Sequence, residues 1–139
     1  MQRNIVVLLG LLLACALFFA ACGGNAAKPD IANWPPEGVT VKDIGSGKTV
    51  FALEIKLQDG SVEYFNVHTD ASAVGTALLA LEGFEKADNG IINTVNGHTL
   101  DWETDQAYWM FNVNGIAAMV GAEDTPIEAG YLYAFVYAN

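Results

Sequence analysis

Cysteine, basic residues and histidine are all scarce in this sequence, and each scarcity removes a class of function. Cys15 and Cys22 are the only cysteines. Cys15 sits inside an apolar run, so the chain after Cys22 has no disulfide and no thiol chemistry, even where disulfides are permitted. Its fold must rest on an apolar core, which a domain of about 100 residues can build. After Arg3 there is no further arginine. Five lysines then face 16 carboxylic acids, a net charge of −11. Phosphate backbones and anionic headgroups are poor partners for such a chain, and the simplest consequence of the acidity is solubility. Only His68 and His98 are available as imidazoles. There is no His-Glu-x-x-His, no Gly-x-Ser-x-Gly, no phosphate-cradling glycine loop and no nucleophile paired with a base. The chain is therefore expected not to be an enzyme, with no required cofactor, and both histidines read as solvated neighbours of strand ends and turns.

What is present begins with an export signal. Arg3 is followed by an apolar run from Ile5 to Ala21, broken only by Gly10, and small residues then lead into Cys22-Gly23-Gly24-Asn25. Residues 1–21 thus read as a lipoprotein signal peptide and Cys22 as the lipidation site. Phe19 stands where such signals more often carry Leu. The alternative is a retained anchor, for which about 20 apolar residues are needed and this run is slightly short. Residues 22–38, with three prolines, read as a tether, with Trp34 available to dock on the domain edge. The implied location is extracytoplasmic, on the membrane through lipid.

Residues 39–139 read as one domain. Phe51, Leu53, Ile55 and Leu57 alternate with Ala52, Glu54, Lys56 and Gln58, the period of a half-buried strand. Asp59-Gly60, Asn96-Gly97 and Asn114-Gly115 are two-residue hairpin signals whose turn positions need positive φ. Val74, Ala77, Leu78 and Leu81 form one helical stripe, with Asp70 or Ser72 as N-cap. Strands are expected at 39–44, 49–58, 61–68, 90–95, 107–113, 116–119 and 131–137, and residues 100–105 read as mixed and acidic. The fold class is α+β: a small β-grasp-like mixed sheet with hairpins packed on one main helix.

Three sets of side chains are candidates for binding. On the aromatic strand Trp109, Phe111 and Val113 share one face, while Tyr108, Met110 and Asn112 share the other. On the last strand Tyr131, Tyr133, Phe135 and Tyr137 share a face. They read as core under a covering element, or alternatively as an exposed aromatic platform of Tyr131, Tyr133 and Tyr137. Asp101, Glu103 and Asp105 alternate as carboxylates able to chelate a hard cation. However, an EF-hand would want a glycine where Gln106 stands and a glutamate where Asn112 stands, and alternate acids on a strand also mark a wet face.

Tyr108-Trp109-Met110-Phe111, then Asn114-Gly115, Gly121, Thr125-Pro126-Ile127 and Gly130-Tyr131-Leu132-Tyr133, resemble the C-terminal β-domain of transcobalamin and intrinsic factor. The pattern is similar to DUF4430-type bacterial domains, common in lipoproteins, from about Phe51 to the end. The resemblance implies half of a cobalamin clamp, with Tyr108, Trp109 and Met110 approaching a corrinoid and Asn112 and Asn114 beside them. The large helical domain that completes the clamp has no counterpart among these residues, and Tyr131 stands where those carriers usually have an acid. A half-site buries less of its ligand, and fold similarity does not transfer function. Three functions follow: capture of a small ligand such as a corrinoid for uptake, surface adhesion or scaffolding on protein or glycan, and metal binding.

Overall fold

A computed structural model describes residues 31–139. The expected signal peptide, the expected lipidation site Cys22 and most of the expected tether lie outside the described residues. Among those described, no helix is long and apolar enough to cross a membrane.

A single 3-10 turn, Ile31–Asn33, precedes strands β1 (Val41–Gly45), β2 (Thr49–Lys56) and β3 (Val62–Thr69). Helix α1 (Val74–Leu79) leads to β4 (Glu85–Lys86), β5 (Ile92–Val95), β6 (His98–Thr99) and helix α2 (Trp102–Asp105). Strands β7 (Tyr108–Val113), β8 (Ile116–Ala117) and β9 (Leu132–Ala138) complete the chain, with a 3-10 turn at Ala122–Asp124. The main sheet is mixed, in the order β1-β3-β2-β9-β7-β8, and β4-β5-β6 form a small second sheet. The β2–β3 hairpin is antiparallel, whereas β9 returns parallel to β2, pairing Leu53 with Tyr133 and Ile55 with Phe135.

That register places the apolar halves of four strands on one side. Phe51, Leu53 and Ile55, Phe65 and Val67, Tyr133 and Phe135, and Trp109 are all buried. Val74, Ala77 and Leu78 of α1 cover them, with Phe84, Ile92 and Val95. Each such aliphatic or aromatic side chain contributes about 1.5–3 kcal/mol on leaving water. On the opposite side of the sheet Trp34 packs against Tyr64, ring centroids 5.5 Å apart. The last residues of the tether therefore lie on the fold.

Several local expectations change. The sheet is β-rich and mixed as expected, but no single main helix carries the covering layer. The α1 helix has six residues, stops before Leu81 of the expected stripe, and starts without a side-chain cap at Ala73. Asp70 instead accepts from Lys48 N–H at 3.0 Å. A second short helix, α2, occupies the run that reads as mixed and acidic. Asn96-Gly97 and Asn114-Gly115 do adopt positive φ at both positions, but at Asp59-Gly60 only Gly60 does. There Asp59 Oδ1 accepts from Ser61 N–H and Oγ, the longer loop with one left-handed residue.

The start of α1 packs closely on the Ala122–Asp124 turn. Gly75 is buried, and a Cβ there would lie 2.5 Å from Glu123 N in the Ala122–Asp124 turn. Gly75→Ala, favourable for an isolated helix, is expected to destabilise the fold by about 1–3 kcal/mol by overpacking. Denaturant unfolding measures this, and an unchanged midpoint would contradict the contact.

Candidate functional site

The second sheet and the connection to α2 do not lie flat on the main sheet, and between them runs an open groove of about 440 Å³. One wall is the approach to β5, with Asn89, Ile91 and Asn93. The other is Asp101 and Trp102, then Tyr108 at the start of β7. Leu100 and Trp109 also line it.

The far wall is made by a capped turn. Asp101 Oδ1 accepts from Glu103 N–H at 2.9 Å, Thr104 N–H at 3.1 Å and Thr104 Oγ1 at 2.9 Å. Asp105 Oδ2 takes the Asp101 N–H at 2.8 Å. Gln106 ends the turn in a left-handed conformation, and its side chain donates back to Trp102 O at 2.7 Å. This turn throws Trp102 outward, 57% exposed, against Tyr108, 48% exposed; their rings are tilted by 63° with centroids 6.2 Å apart. Ile91, 63% exposed, stands across from them. Large apolar side chains exposed together in a concavity are the usual signature of a binding surface.

Trp109 is the pillar of the region. It is buried, and its indole N–H donates to His98 O at 3.0 Å, which ties β7 to the β5–β6 hairpin. On its far side lies a second, more polar groove of about 600 Å³ with Gln58, Asp59, His98 and Tyr137. Trp109 and Leu100 line both.

The predicted residues divide accordingly. Tyr108 and Trp109 both line the apolar groove. Met110 and Asn112 project from the other face of β7 and do not line it. Asn112 Oδ1 is buried there without a hydrogen-bond partner. Asn114 is structural: it takes the left-handed turn position, and its Oδ1 accepts from Leu132 N–H at 3.0 Å.

The platform of three tyrosines is not formed. Tyr133 is wholly buried, stacked on Phe111 with centroids 6.3 Å apart, while Tyr131 and Tyr137 are half-buried at the edge of the core. The Tyr133 hydroxyl donates to Pro126 O and accepts from Glu128 N–H, each at 2.9 Å, and burial pushes its pKa up. Tyr133→Phe leaves both backbone groups unpaired and is expected to cost about 1–3 kcal/mol, measurable by denaturant unfolding.

The proposed chelating set is also undone by local structure. Asp101 Oδ1 and Asp105 Oδ2 accept hydrogen bonds within the α2 turn, and among the described residues no group of three or more His, Cys, Asp or Glu is placed to hold a metal ion. The Thr104 backbone N–H and hydroxyl, and then the Glu103 N–H, hold the Asp101 carboxyl below its ordinary value of 3.8. The cap is therefore complete above that value, weakens as pH falls below it, and is lost once pH passes the depressed folded value. The Trp102 and Tyr108 resonances should hold their positions down to pH 4 and move only in stronger acid; movement near pH 6 would contradict this. Elsewhere, His68 Nε2 lies 2.9 Å from Asp43 Oδ1, tying β1 to β3.

Sequence reading missed Trp102, Ile91, Leu100, Asn89 and Asn93 as site residues. The available signal was Asp101 followed by acids two and four residues on, which is an N-cap with an acidic first turn.

Comparison with known proteins agrees with the domain resemblance. Residues 72–131 match the family described as "Domain of unknown function (DUF4430)", a span running from just before α1 to Tyr131 and including the whole apolar groove. No curated protein matches the chain. Among solved structures, the fold is similar to that of a protein from Ruminococcus gnavus ATCC 29149 whose structure is described as that of a "putative metal binding protein". The TM-score is 0.58 at 22% identity, over 66% of this chain and 98% of that one.

Proposed function

We propose that this DUF4430-type chain is a non-catalytic binding module, held outside the cytoplasmic membrane by lipid on Cys22, that captures a small ligand in the groove between β5, α2 and β7. One observation carries the reading: Trp102, Tyr108 and Ile91 stay exposed together around a concavity instead of closing over the core. Its volume, about 440 Å³, falls within the range of small-molecule sites, roughly 300–1,000 Å³. Asn89, Asn93 and Asp101 supply the few polar groups that orient a ligand.

A corrinoid is the candidate that the transcobalamin-like resemblance supplies. It would lie across Tyr108 and Trp109 and be only half enclosed. The test is titration of the full chain with cobalamin and cobinamide, following the corrin absorption bands and the heat. Saturable spectral change supports corrinoid capture; neither signal at high micromolar ligand removes it.

Two other readings have an observation each. Ile116, Met119 and Val120 project from the β8 hairpin and the loop after it, Met119 almost fully exposed, which favours a surface that docks protein or glycan. The R. gnavus protein's description favours metal binding. A melting temperature raised by calcium or zinc and restored by chelator would support that reading, and an unchanged one would remove it.

A further inference from the structure

Resting on the groove as the ligand site, we infer that its Trp102–Tyr108 corner binds an organic cation, an alkylated ammonium group, and that the site prefers cations to uncharged molecules of the same shape.

The two rings do not stack on each other. At 63° and 6.2 Å between centroids they meet at an angle, both line the groove and both are about half exposed. The face of an aromatic ring carries negative potential, so a cation within about 6 Å of the centroid is attracted, most strongly by Trp. Two half-exposed rings set at an angle in one groove wall give a bulky, weakly hydrated cation more than one ring to settle against.

The surrounding charge has the matching sign. Asp101 lines the same groove; its Oδ1 takes all three of its hydrogen bonds, and none goes to Oδ2. Residues 87–139, which supply the entire groove lining, contain seven Asp or Glu and no Lys or Arg. The lysine next to the lining, Lys86, is held by Glu123 Oε1 at 3.0 Å. The cation–ring contact found among the described residues lies elsewhere, Lys42 over Phe65 at 5.5 Å. The corner thus has the field that a cation needs and no cation of its own. An anionic ligand would meet the Asp101 carboxylate in an acidic segment, and a neutral one would gain nothing from it.

The test compares choline with 3,3-dimethylbutan-1-ol, in which carbon replaces the quaternary nitrogen. Each is titrated into the full chain in a neutral detergent, following the three indole N–H signals by NMR. Choline is expected to shift Trp102 with a dissociation constant about tenfold or more below that of the alcohol. Added salt should narrow that gap, and Tyr108→Ala should reduce it. Choline binding no better than the alcohol, with Trp102 and Trp109 still responding, overturns the cation preference and leaves the groove as a site. No response at Trp102 or Trp109 to choline, the alcohol or cobinamide overturns both.

Discussion

Trp109→Ala is expected to be the most damaging single change in the domain, lowering stability by about 3–5 kcal/mol. Trp109 is only 7% exposed, sits in the main core and donates its indole N–H to His98 O. Removing it opens a cavity beneath β7 and frees the β5–β6 hairpin from the main sheet. Because the same ring lines both grooves, ligand binding should fail with it. Trp109→Phe separates the two roles: it refills most of the volume but leaves His98 O without its donor, so it should cost less than the alanine variant. Denaturant unfolding checks both variants. A Trp109→Ala loss within about 0.5 kcal/mol, the scale of ordinary surface changes, would contradict the pillar role.

The paired replacement Trp102→Ala and Tyr108→Ala is expected to do the opposite. Both side chains are about half exposed, and neither belongs to the buried cluster, so stability should change little. Binding should fall by roughly 30-fold or more, the scale of losing an aromatic anchor worth about 2 kcal/mol. A double variant that binds unchanged would move the ligand site away from this groove. One that unfolds would show that the α2 corner holds the fold, which its exposure argues against.

How much of this was readable in advance depends on whether the signal was local. The alternation from Phe51 to Leu57 and the left-handed pairs Asn96-Gly97 and Asn114-Gly115 are local, and they appear where period and turn chemistry put them. The α1 helix also follows from its stripe, but its length does not. The close packing of Gly75, at its start, on the 3-10 turn about 48 residues later is a long-range contact that no window on the sequence contains. The aromatic face of β9 was ambiguous for the same reason: only the layer of α1, Phe84 and Ile92 decides that Tyr133 and Phe135 are core.

The site was half legible. Tyr108 and Trp109 were reached through the strand and the family resemblance. Trp102 was hidden because its acidic neighbours were read as the wet face of a strand or as metal ligands. Asp101 and Asp105 each accept backbone hydrogen bonds through one oxygen, and those bonds make the turn that presents Trp102. The opposing wall, Asn89 and Ile91 in the β4–β5 connection and Asn93 on β5, belongs to the second sheet's hairpin and carries no motif.

The three tryptophans provide the most direct check on the groove. Trp102 and Trp109 line it, while Trp34 packs on Tyr64 across the main sheet and serves as an internal reference. Indole N–H spectra of the full chain should be recorded while cobinamide, and separately choline, is added. Progressive, saturable shifts at Trp102 and Trp109 with Trp34 stationary are the predicted result. Shifts confined to Trp34, or no shift at any indole with either compound, would contradict a ligand site between β5, α2 and β7.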